Sequence, residues 1–126
     1  MKRGTFGVIV LLALFAGSLT AMNTVRSQLS PVISQVELAS RAAGEGDLQK
    51  TAALTEESRA AWETYRLKFS CLSPQESVRE IDSLYERVRV YGEAEEPAHC
   101  WETCTILKNR LEALLEDQLL SLRNLL

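Results

Sequence analysis

The only histidine of the chain, His99, stands in "HCWETC", with Trp101 and two of the three cysteines, Cys100 and Cys104. Two chemistries would suit such residues: zinc ligation by thiolates and imidazole, or thiol–disulfide exchange. Helical geometry argues against both. At roughly 100° per residue, Cys100 and Cys104 fall on the face of Leu107 and Leu111, whereas His99 turns about 100° away from Cys100. A zinc site then lacks its third and fourth ligands. The remaining thiol, Cys71, closes the previous-but-one helix, which places it about 30 Å from Cys100 by helix length. Cysteines four apart on a helix hold their β-carbons too far apart for a disulfide, and the spacing is not the redox C-x-x-C. Both are therefore expected as small apolar core residues. No catalytic, cofactor-binding or metal-ligating residue is assigned and no enzymatic activity is expected; an enzyme with the cysteine pair as a metal site ranks third, behind the two readings below.

Other candidates are weaker. "GEGD" (44–47) has two glycines but follows no strand and lacks a phosphate-binding lysine, so it reads as a helix stop. One histidine without a nucleophile elbow argues against a serine or cysteine hydrolase. The glutamate pairs 56–57 and 95–96 suit solvated surface and helix-start positions. Trp62 and Trp101 lie on or beside apolar seams and are expected to pack the interior.

The residues that would have to position any site are helix formers. Leu, Ala, Glu and Arg dominate, with three prolines and six glycines in 126 residues, and no sustained strand alternation is present. The formal charge is −3. Lys2 and Arg3 precede the apolar run, so the rest carries −5, and no basic stripe suggests nucleic acid as a partner.

From Gly4 to Val25 no residue is charged. As a helix those residues span roughly 33 Å, which matches a hydrocarbon core of about 30 Å. A cleaved signal peptide is the alternative, with Ala16 and Ser18 fitting the small-residue rule and Leu19 opposing a cut after Ala21. The length of the run, and its continuation into helical sequence, favour an uncleaved anchor over 1–25 followed by a helical domain over 26–126. Lys2 and Arg3 on one side, against Arg26 on the other, place the N-terminus in the cytoplasm and the domain outside.

Beyond the anchor, Val25, Leu29, Val32, Val36, Ala39 and Ala43 share one helical face. Ser30-Pro31 predicts a break or kink, because proline removes a backbone donor. Gly44 and Gly46 stop this helix, and Asp47 caps a second, about 47–70, whose stripe is Thr51, Leu54, Ser58, Ala61, Trp62, Tyr65 and Phe69. Ser73, Pro74 and Glu76 spell a capping box. The helix they open carries Val78, Ile81, Leu84, Tyr85 and Val88 and ends at Gly92. The last, about 97–124, has the strongest seam: Cys100, Cys104, Leu107, Leu111, Leu114, Gln118 and Leu122. Short connections force neighbours antiparallel, which gives an all-α bundle of three to four helices behind a transmembrane helix. Residues 42–53 and 90–101 are faintly alike, as two helix–turn–helix units would be.

A basic start and an apolar span lead into "GDLQKTAALTEESRAAW", "SPQESVREIDSLYERVRVY" and a leucine-rich final helix. This layout resembles the bacterial domain-of-unknown-function family 4363. The resemblance implies a single-span membrane protein with a helical outer domain, and a neighbouring multi-pass membrane protein as partner. In that family ordinary helix formers usually hold the positions of Cys100 and Cys104, and no activity or functional residue is implied. The expected role is a non-enzymatic accessory or scaffold. It would contact the lipid bilayer and, through its anchor, another membrane protein or its own copy. A secreted or tethered helical module that binds a small ligand between its helices is the alternative.

Overall fold

A computed structural model of the chain, describing residues 2–70 and 73–124, contains four helices: α1 (Lys2–Gly44), α2 (Leu48–Lys68), α3 (Gln75–Glu93) and α4 (Pro97–Asn124). The fold is all-α, and no strand occurs among the described residues. α1 packs against α2 and α4, and α3 closes the square against the same two. The interior is built from one face of each helix, in the order the periodicity predicts. Val25, Leu29, Val32, Val36 and Ala39 of α1 meet Trp62 and Tyr65 of α2, Ile81, Leu84, Tyr85 and Val88 of α3, and Cys104, Leu107, Leu111, Leu114 and Leu122 of α4.

Side-chain contacts fix the antiparallel register. Thr51 Oγ1 lies 3.4 Å from the Ala39 carbonyl oxygen and Ser58 Oγ donates to that of Val32 at 3.0 Å, which aligns α2 with α1. Ser40 and Thr105 hydroxyls stand 3.4 Å apart, and Lys108 Nζ lies 3.7 Å from Glu37, which aligns α4. Carried one residue at a time down these pairs, the register sets Val25 opposite Tyr65 and Leu120, and Met22 opposite Lys68 and Arg123.

The expected break at Ser30-Pro31 does not occur: α1 runs unbroken through Pro31. Ser27, Ser30 and Pro31 all face outwards, so the carbonyl that proline leaves without its usual donor has access to water. Leu29 and Val32, on either side, are fully buried. Packing on both flanks overrides the local preference for a break.

The capping box does not form either. Pro74 is the N-cap of α3 and no side chain bonds to the first turn. Ser73 Oγ instead donates to the Phe69 carbonyl at 3.0 Å and accepts from Gln118 Nε2 at 2.6 Å. The Ser73 proton is held by the local Phe69 carbonyl and its oxygen is taken as acceptor by Gln118 of α4, so the hydroxyl is turned away from the N–H groups of the first turn. Gly92 is not the end of α3, which continues to Glu93.

The two turns at the far end are alike, one residue out of the register suggested by the sequence. Asp47 N–H reaches the Ala42 carbonyl and Gly46 N–H that of Ala43, while Glu96 and Glu95 bond in the same way to Tyr91 and Gly92. Gly46 (φ 81°) and Glu95 (φ 54°) occupy the left-handed position this closure needs, a conformation natural for the glycine and strained for the glutamate. Asp47 caps α2 as predicted, accepting from Lys50 N–H at 3.1 Å.

Candidate functional site

The interior positions that the seam of α4 predicts are all buried, Cys100, Cys104 and Gln118 among them. Cys100 Sγ points at the Val88 carbonyl, 3.7 Å away, and lies 3.9 Å from where a β-carbon on Gly92 would stand. Burial raises both thiols, Cys104 to about 12, with Glu96 adding to the effect at Cys100. Thiols that hold their protons at neutral pH are poor nucleophiles and poor ligands. His99 is exposed and stacks on Tyr91 with ring centroids 5.0 Å apart, turned away from both cysteines. Cys71 lies outside the described residues, among which no group of three His, Cys, Asp or Glu side chains is placed to hold a metal.

The packing role gives a test. Cys100→Ala and Cys104→Ala should each cost about 1–2 kcal/mol in chemical denaturation, with zinc in the purified protein at background. Stoichiometric zinc lost in either variant would overturn this. Cys104 keeps its proton up to about 12 against an ordinary 9.0. Its contribution is therefore complete below pH 9 and lost as the pH rises through 12.

Two polar clusters tie the helices together. Tyr85 Oη lies 2.7 Å from Ser58 Oγ, whose proton goes to the Val32 carbonyl, so the tyrosine donates and three helices share one chain of bonds. Burial raises the Tyr85 hydroxyl, which keeps it a donor. Trp62 Nε1 donates to Asp82 at 2.8 Å, and the other oxygen of that carboxylate accepts from Arg66 at 2.9 Å. Sequence reasoning placed Trp62 in the interior but gave it no partner.

The expectation that Trp101 packs inside is wrong. Its side chain is 51% exposed, and the indole covers Gly44, whose β-carbon position lies 3.4 Å from the ring. Next to Cys100 on a helix, residue 101 falls about 100° off the seam. Here it rests on the rim of the α1–α4 interface.

One concavity has the shape of a ligand site. Between the first half of α2 and the last turns of α3 lies a groove of 340 Å³, lined by Thr51, Ala52, Thr55, Tyr85 and Val88 with Arg59, Arg89, Glu56, Glu93 and Glu95. Small side chains on α2 facing Val88 and Gly92 account for the gap. The early polar half of the α2 stripe was the sequence signal for it. Arg89 pairs with Glu86 and with Glu93, so much of the rim charge is internally compensated. No protein-family model, curated protein or solved structure matches the chain.

α1 is long and apolar enough to cross a membrane, and none of its most apolar 18 residues is buried. Phe6, Ile9, Leu11, Leu12 and Leu14 each expose more than half of their surface. Of the described features this is the strongest departure from an ordinary soluble surface.

Proposed function

We propose that the protein is a non-enzymatic accessory or scaffold of a bacterial cytoplasmic membrane, anchored by the first part of α1 with its bundle outside. The observation that carries this reading is the continuity of α1: one helix passes from an exposed apolar run into the centre of the core. Any partner that grips the span therefore also orients the bundle. The small residues Gly4, Gly7, Ala13, Ala16 and Gly17 suit close helix packing in lipid, and among the described residues no side chain lies within 4 Å of where β-carbons on the three glycines would stand. Lys2 and Arg3 before the span favour a cytoplasmic N-terminus. The resemblance to domain-of-unknown-function family 4363 agrees with this assignment and with a membrane-protein partner.

The test is to replace residues 4–20 by polyleucine, which spares Ala21 and Met22, both packed on the core. Membrane insertion should persist while cross-linking in membranes to a partner, or to a second copy, disappears. Retention of every cross-link would reduce the anchor to a tether.

The groove between α2 and α3 favours a second reading, a tethered module that holds a small apolar ligand. A ligand retained by the gently solubilised protein, and lost on filling the groove with Ala52→Phe, would select it.

A further inference from the structure

The base of the bundle, where α2 and α4 end beside residues 21–25 of α1, presents apolar and basic side chains together. Leu67 of α2 is 75% exposed and Leu120 of α4 is 53% exposed. The register of the helices sets them at the level of Val25, on opposite sides of the bundle. Arg26, Lys68 and Arg123 are exposed within about a turn of that level, as are the carboxylates of Glu63, Glu76, Glu116 and Asp117, but Lys68 and Arg123 lie lowest, opposite Met22. At the other end the turns carry Glu45, Asp47, Glu93, Glu95 and Glu96.

Depth follows from α1. If residues 4–25 fill the hydrocarbon layer, at about 1.5 Å per residue, Ala21, Met22 and Val25 lie at its outer edge. Those residues also belong to the packing of the core, where Val25 is fully buried. α1 has no break that would lift the bundle away. Whatever stands beside Val25 is therefore held at the depth of the lipid headgroups.

We propose that this base is a second membrane contact: Leu67 and Leu120 enter the interfacial layer of an anionic bilayer, and Arg26, Lys68 and Arg123 reach its phosphates. Long basic side chains lay their stems along apolar surface while their charged ends stay at the headgroups; Lys68 and Arg123 are the last charged residues of α2 and α4, so the charges nearest the lipid are cations, which favour anionic headgroups. The bundle then sits seated on the membrane, with its acidic end and Trp101 presented outwards. This inference rests on α1 spanning the bilayer.

The test uses the full chain in vesicles of equal phosphatidylcholine and phosphatidylglycerol whose acyl chains are brominated near the headgroup. Leu67→Trp and Leu120→Trp should each show added emission quenched about two-fold, the behaviour of an interfacial side chain. Leu38→Trp, exposed on α1 but well above the base, should not be quenched. Weaker quenching is expected in pure phosphatidylcholine, and equal quenching there would overturn the role of the three cations. If Leu67→Trp and Leu120→Trp behave like Leu38→Trp while Phe6→Trp, exposed near the inner edge of the span, is quenched, the span stands and the seated base is wrong. If Phe6→Trp also escapes quenching, the span itself is wrong and the contact falls with it.

Discussion

Trp62→Ala should remove about 3–5 kcal/mol from the unfolding free energy, the range for deleting a large buried aromatic. That is at least about a fifth of the roughly 5–15 kcal/mol that holds such a domain folded. Trp62 is fully buried and stacks on Tyr65 with centroids 5.9 Å apart. Its indole N–H also holds Asp82 against Arg66, so removal opens a cavity and leaves the carboxylate with one partner fewer. Trp62→Phe separates the two effects. It leaves a much smaller void and loses the hydrogen bond to a charged acceptor, for which about 1.5–3 kcal/mol is expected. Asp82 is not itself deeply buried, and water can replace part of that bond, so the lower end should apply. Urea denaturation followed by circular dichroism measures both variants. A loss below 1 kcal/mol for Trp62→Ala would mean that the aromatic half of α2 does not hold the bundle together.

What was legible in the sequence was whatever depends on a single helical period. The seam of α4 and the inner faces of α1 and α3 came from apolar spacing alone, because the buried face of a helix is a property of that helix. Thr55 and Thr103 are buried too, yet look like surface residues in sequence. Thr55 satisfies its hydroxyl on the Thr51 carbonyl at 2.7 Å, a local bond that removes the penalty of burying it. The failures lie where two helices compete for one group. Ser73 reads as a cap until Gln118 and the Phe69 carbonyl claim its hydroxyl. Trp101 reads as core until its angular offset from Cys100 is followed round to Gly44. Asp82 gained its role only from the way α2 crosses α3. The groove is intermediate: its small residues on α2 were visible, but which residues of α3 stand across from them was not.

Pro31→Ala should stabilise the protein by about 2 kcal/mol, an unusual sign for a substitution inside a helix. Proline in a helix interior costs roughly 3 kcal/mol relative to alanine, through a lost hydrogen bond and a clash with the preceding turn. α1 nevertheless runs through it. Proline returns about 0.4–1 kcal/mol by restricting the unfolded chain, which lowers the net gain. Residue 31 faces outwards, so alanine leaves no cavity and takes nothing from Leu29 or Val32. The new amide N–H at residue 31 can bond the Ser27 carbonyl and complete the ladder between the span and the bundle. The same variant distinguishes two roles for the proline. If α1 acts as one rigid lever between membrane and bundle, the stabilised protein keeps the cross-links of the native chain. A variant that is more stable but loses them would mark Pro31 as a flexible joint that the function needs, and unchanged stability would show that the helix is already broken at that residue in solution.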